Sequence, residues 1–348
     1  MKQTPIIMAA LATMLVTFGG YSPGHAQTGS GNRQMVLIPS GEFTMGSHDH
    51  ADEPPHQVVL DAYKIDKFEV SNKQYGEFMK AKNHPAPAYW DDPRLNKPEQ
   101  PVVGVNWYDA KAYCESNGLR LPTEAEWEHV AKGPKGDYHY PWGHSFDAKK
   151  VNYGQRIGKT SPVDAHPEGA SGFGVYNMAG NVFEWVSDWY APDYYKKSPA
   201  LNPTGPDIGL DFAKQGPVRA LRGGSWLAPE TSLHTSHRFW NQPDNNSYGV
   251  GLGFRCAVSE GPRTASDKVS APTNAGSAVN PKAVVNSKAV VNPKVEAREA
   301  YMEALIAMGA EKQAEATALI DKAIKLDPKV REYKDLRELI KKNTDKNK

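Results

Sequence analysis

The chain has 348 residues, 39% of them apolar and 10% aromatic, with 30 glycines and 27 prolines. That is length for two folded units and apolar area for a real core, in a fold rich in loops. A formal charge of +1 gives no basis for holding a polyanion by bulk electrostatics, so nucleic acid is excluded as an expected partner.

The N-terminus reads as a secretory signal over residues 1–26. Lys2 supplies a positive start, Ile6 to Phe18 an apolar stretch, and Gly24-His25-Ala26 small residues before a cut. The apolar run is shorter than the ~20 residues of a helical membrane span, so no anchor is expected after removal of the signal. No cysteine stands near the cut to carry a lipid. The expected location is periplasmic or secreted.

Residues 27–34 read as a disordered lead-in to a globular domain over 35–261. Val, Ile and Tyr content with alternation predicts strands at Met35–Pro39, Gln57–Leu60 and Tyr63–Val70. Three helix starts follow, at Ser71, Asn106 and Thr123. Each has a capping side chain followed three residues later by Gln, Asp or Glu, and Gly118 and Gly133 sit where the second and third helices should stop. Residues 262–294, rich in Ser, Ala, Asn, Pro and Lys with an N-P-K-A-V-V/N-S-K-A-V-V echo, read as a flexible linker. Helical periodicity returns over 295–348, with one helix over Glu311–Leu326 and a break at Asp327-Pro328. This tail is similar to the close of a tetratricopeptide repeat, which cannot easily bury its apolar face alone. Docking on the domain, self-association, holding a partner and a merely solubilising role all stay open.

The domain carries eight motifs in one order. They are M-V-L-I-P-S-G-E-F-T-M-G-S from Met35, H-Q-V-V-L-D-A-Y-K-I-D-K-F-E-V-S from His56, P-V-V-G-V-N-W-Y-D-A from Pro101 and R-L-P-T-E-A-E-W-E from Arg120. Y-P-W-G from Tyr140, G-V-Y-N-M-A-G-N-V-F-E-W from Gly174, L-R-G-G-S-W from Leu221 and G-F-R-C-A from Gly253 complete the set. Together they resemble the formylglycine-generating enzyme (sulfatase-modifying factor) family over about residues 35–258. The resemblance implies an α+β, C-type-lectin-like fold with little regular secondary structure, to which this chain adds its small C-terminal α-helical appendix.

Enzymes of that family oxidise a substrate cysteine to formylglycine with copper held by two cysteines, soft ligands suited to Cu(I). The family spacing from Trp226 puts Ala228 and Leu233 at those two positions, and no cysteine occurs between Trp226 and Arg255. Copper is therefore not an expected cofactor. The only cysteines are Cys114 and Cys256, which read as one disulfide, as two buried thiols or, least well, as a displaced copper pair; related enzymes bridge the matching pair.

Calcium is the cofactor the resemblance implies, at Asn177, Gly180, Val182 and Glu184, which mix carbonyl and side-chain oxygens suited to a hard cation. A weaker second site would begin at Asn152 and Tyr153. For both, a turn held by backbone hydrogen bonds is the other reading. His234 and His237 fall in the loop without thiols and read as a metal pair, an acid–base group or surface histidines. His48, Asp49, His50, Asp52, Glu53 and His56 form a polar cluster that could hold a divalent ion but reads better as a solvated loop. Glu124, Glu126 and Glu128 read as helix-start charges, and Trp107, Trp127, Trp142, Trp185 and Trp226 as core.

The functional expectation is an exported protein-binding or scaffold/maturation factor that lacks the cysteine pair. It would engage a protein partner through its cleft or helical tail. The alternative is a periplasmic oxidoreductase or maturation enzyme with altered metal chemistry. A hypervariable ligand-binding protein fits less well, because such chains usually end soon after the G-F-R-C-like segment.

Overall fold

The structure, a computed structural model, describes residues 33–211, 216–244, 249–261, 293–309 and 311–346. The expected signal segment and most of the expected lead-in and linker lie outside the described residues.

The N-terminal strands form where alternation predicted them, except that the strand predicted over Tyr63–Val70 ends at Asp66, and one more appears. β1 (Met35–Ile38) lies antiparallel to β4 (Tyr63–Asp66), which also pairs with β9 (Ala257–Ser259) at the far end of the domain. β2 (Gly41–Met45), not predicted, forms a hairpin with β3 (His56–Leu60), with Phe43 and Met45 buried on one face, Thr44 half-buried between them and Glu42 exposed just before.

Three capped helices follow. α1 (Asn72–Lys82), α2 (Trp107–Ser116) and α3 (Glu124–Lys132) each begin with a complete capping box, from Ser71/Gln74, Asn106/Asp109 and Thr123/Glu126. Each cap satisfies amides that would otherwise be orphaned, which is worth about 1 kcal/mol. α3 stops at Gly133, whose φ of 71° is open to glycine, and α2 ends at Asn117 with Gly118 (φ 70°) next.

The second half of the domain is organised by a four-stranded sheet that the sequence reading did not anticipate. Its order is β7 (Phe239–Asn241), β6 (Arg219–Arg222), β5 (Phe183–Trp189) and β8 (Leu252–Phe254), with the β5–β8 pair parallel. Cys114 of α2 and Cys256, just after β8, are joined in a disulfide with Cα atoms 5.7 Å apart. The core tryptophans are placed as expected: Trp107, Trp127, Trp185 and Trp226 are buried, while Trp142 is half-buried and stacks on Tyr140.

The tail folds as α4 (Pro293–Gly309), α5 (Gln313–Leu326) and α6 (Arg331–Lys346). The chain turns at Glu311 (φ 61°), so α5 starts two residues later than predicted. Ala316, Ile320 and Ala323 of α5, and Tyr333, Leu336 and Ile340 of α6, face inward at helical spacing. Alanines at 297, 300 and 304 of α4 let the helices approach closely.

The tail docks on the domain. Its apolar residues join one continuous core with Trp226, Phe239 and Val250. Gln155 donates to the carbonyl of Met308 at 2.9 Å and accepts from Asn343 at 2.6 Å, while Arg94 pairs with Glu311. Among the described residues no helix is long and apolar enough to cross a membrane.

Candidate functional site

The segment after β6 is bent by Gly223 (φ 94°) and Gly224 (φ 71°). A Cβ on Gly224 would lie 2.9 Å from the carbonyl oxygen of Ser232, so the chain folds back closely enough to exclude any larger residue. Ala228 and Leu233, at the positions where the resemblance would put thiols, are fully buried. The chain holds no free thiol, both cysteines being bridged.

The loop that follows is pinned from below by buried charge. Arg222 donates to the carbonyls of Thr235 (2.7 Å) and Ser236 (3.0 Å) and pairs with Glu128 at 2.6 Å. Arg238 grips Glu124 with two bonds of 2.9 and 3.0 Å. Burial would raise the Glu128 carboxyl, but Lys132, Arg222 and the Gly46 amide together bring it below its ordinary value. Glu124 and Glu128 are thus more than helix-start charges: they are buried anchors that fix where His234 and His237 stand. Glu126 also binds Arg120.

A second loop meets it. The Gly46 amide donates to Glu128 at 2.6 Å, the Lys132 ammonium donates to the carbonyls of Thr44 and Gly46, and Ser47 N–H donates to the Glu53 carbonyl. Gly46 has a φ of 88°, and a Cβ there would lie 2.5 Å from the Glu53 carbonyl oxygen. The segment read as a solvated loop is therefore partly turned inward, with Glu53 fully buried, because α3 supplies its partners.

Six side chains converge where these loops meet the tail. Asp49, His139 and His234 have ligand atoms within 4.8 Å of one another, and so do His50, His237 and Glu332 of α6. Asp49 lies 3.6 Å from His234 and 3.8 Å from His139, whose rings are 3.8 Å apart. The rings of His50 and His237 are 4.6 Å apart, and His237 Nε2 is 3.2 Å from Glu332 Oε1. Burial, with His139 and His237 nearby, pushes the His234 imidazole down to about 3, and burial also lowers His139. Both rings are therefore neutral at pH 7, as ligand or acceptor chemistry requires.

Glu332 is further held by Ser232, whose hydroxyl donates to it at 2.7 Å. With that hydrogen committed, Tyr301 must be the donor in its 2.8 Å contact with Ser232, which links α4, the loop and α6. Sequence reasoning singled out His234 and His237, weighed His50 within a polar cluster read as a solvated loop rather than a divalent-ion site, and missed His139 and Glu332. No local signal marks Glu332, since only tertiary docking brings it here.

The residues named for calcium form a separate buried network. Glu184 accepts two 2.6 Å bonds from Arg255 and one of 2.9 Å from the Trp127 indole. Asn177 donates to Glu69 at 2.9 Å, as does Asn181 at 2.8 Å. Gly180 packs where a Cβ would lie 2.3 Å from the Asn152 carbonyl oxygen, and Val182 is buried beside it. The other Glu69 oxygen, Oε1, has no hydrogen-bond partner among the described residues, and burial with Glu184 nearby lifts that carboxyl to about 8. Asn152 is buried and donates to the Lys159 carbonyl, with its Oδ1 unpartnered, whereas Tyr153 is half-buried against Phe146 and Arg156.

Known proteins resemble this chain in sequence and fold. Residues 23–260 match the model of the sulfatase-modifying factor enzyme 1-like domain. The chain is 38% identical over 245 residues to serine/threonine-protein kinase Pkn1 of Chlamydia trachomatis, covering 64% of this chain but 38% of that protein. It thus spans about two fifths of that relative's length. It is 32% identical over 298 residues to the formylglycine-generating enzyme of Streptomyces coelicolor, covering 68% and 92% of the two chains. Among solved structures, PvdO from Pseudomonas aeruginosa is similar at 27% identity and a TM-score of 0.57, over 69% of this chain and 99% of that one.

Proposed function

Because the chain belongs to the sulfatase-modifying factor enzyme 1-like family, through residues 23–260, we propose that it is a thiol-free member that holds or matures a protein partner and does not generate formylglycine. One observation carries the reading: both sulfurs are committed to the Cys114–Cys256 bridge, and the loop after Trp226 offers none. Copper chemistry of the dithiolate kind has no ligands here, since alanine and leucine side chains cannot replace thiolates.

The partner would be a protein, engaged at the cleft or the outer face of the tail, in the periplasm or outside the cell. Residues 1–26 support the export. Calcium belongs to the proposal as a structural ion. Asn177, Gly180 and Val182 would offer oxygens, and Glu69, on giving up its proton to the ion's field, would add a carboxylate oxygen that the family positions omit. Glu184 would join only by loosening its grip on Arg255. Neither the kinase activity named for Pkn1 nor its partners enter the proposal.

The test is direct. The purified chain, loaded with Cu(I) and given a cysteine-containing sulfatase peptide under oxygen, is expected to yield no aldehyde by mass spectrometry. Thiol titration under native conditions should find no reactive sulfur. Catalytic conversion of the peptide would overturn the reading. The convergence of histidines and carboxylates favours one other reading, an enzyme with different metal chemistry on the same fold.

A further inference from the structure

We propose that His50, His237 and Glu332 form a binding site for one divalent first-row transition metal of the zinc or iron(II) class, assembled only when helix α6 is docked. The donor set is two imidazoles and a carboxylate, the mixture such ions take in preference to the all-oxygen cages of calcium and magnesium. Each donor comes from a different part of the chain: the loop after β2, the loop before β7, and the tail.

The geometry is close to what a metal requires. Bonds of about 2.0–2.1 Å at a tetrahedral centre set neighbouring donors about 3.3 Å apart. His237 Nε2 and Glu332 Oε1 stand at 3.2 Å. All three ligand atoms lie within 4.8 Å of one another, so a small inward shift of His50, on its half-buried loop, would complete the set. A fourth position would be left for water or a partner's atom.

The support around the donors is also of the right kind. Ser232 donates to the carboxylate at 2.7 Å and is itself fixed by Tyr301, while Arg222 holds the loop that carries His237 and Arg238 donates to the Asp52 carbonyl in the loop that carries His50. Outer hydrogen bonds of this sort orient metal ligands and govern affinity. The His237 and Glu332 side chains are each 1% exposed, which favours a retained ion over a loosely held surface one. An ordinary buried His–Glu hydrogen bond is the competing account, and the two differ in what they bind.

The full chain, stripped by chelator and dialysed, is titrated with Co(II) as a visible probe and with Zn(II) by calorimetry. About one equivalent per chain is expected, with d–d absorption of a four- or five-coordinate ion and slower hydrogen exchange in α6. His50→Ala, a half-buried change that leaves the core intact, should weaken binding at least tenfold, and Glu332→Gln should do the same. Absence of stoichiometric binding overturns the proposal. So does binding that survives His50→Ala but is lost in His139→Ala, which would place the ion at the neighbouring Asp49 group. Binding that leaves α6 exchange unchanged removes Glu332 and sinks the three-donor site. The formylglycine assay is independent of all these outcomes.

Discussion

Glu69 shows how a single buried carboxyl can set a pH profile. Its folded value near 8 stands above the ordinary value of 4.5, so the folded state holds a proton that the unfolded chain releases. Its favourable contribution is complete below about 4.5 and is lost as pH rises toward 8. Asp188, raised to about 7 by burial and by Glu124, acts in the same direction. His129 acts oppositely: burial lowers it to about 4 from 6.5, so stability is lost as pH falls through that window. Between about pH 4.5 and 6.5 the histidine offsets only one of the two carboxyls, and above 6.5 the carboxyls act alone, so these three groups together give a net decline from about pH 4.5 to 8. In chelator, Glu69→Gln should flatten that decline, measured as the thermal midpoint against pH. It retains an acceptor oxygen for Asn177 and Asn181. An unchanged slope would remove Glu69 as its source.

At the scale of elements, the tail is a helical unit whose inner face is part of the domain core. Ile340→Ala deletes a fully buried side chain on α6 and should cost about 2–5 kcal/mol locally. The expected readout is faster protease cleavage within 293–346, with near-UV dichroism from the domain's tryptophans largely retained. Loss of the whole near-UV signal would show that tail and domain unfold as one. The elements also show what could be read beforehand. The three capping boxes were legible because a cap is written in four adjacent residues. The sheet of β5 to β8 was not, because its strands of three to seven residues carry almost no period and are defined by partners up to about seventy residues away. The site divides the same way. His234 and His237 stood out from a short local spacing, whereas Glu332 became a neighbour of His237 only through docking across 95 residues.

For the whole molecule, the Cys114–Cys256 bridge spans 142 residues and ties α2 to the junction of two sheets. On the loop-entropy account it contributes about 5 kcal/mol, and native bridges of small exported domains typically contribute 2–5. Cys114→Ala/Cys256→Ala should lower stability by about that amount in denaturant titration, without changing the far-UV spectrum in water. A loss under 1 kcal/mol would mean that the surrounding core already restricts the unfolded chain as strongly. The same comparison, run with reductant on the native chain, should give the same midpoint.

The pairing of β4 with both β1 and β9 carries a consequence in time. A chain made from its N-terminus can lay β1 against β4 once residue 66 has emerged, but the other edge of β4 waits for residues 257–259. Until then that edge presents open backbone donors and acceptors, a template for any extended strand nearby. During synthesis the nascent chain is thus most adhesive along β4, and the arrival of β9 ends that vulnerable interval.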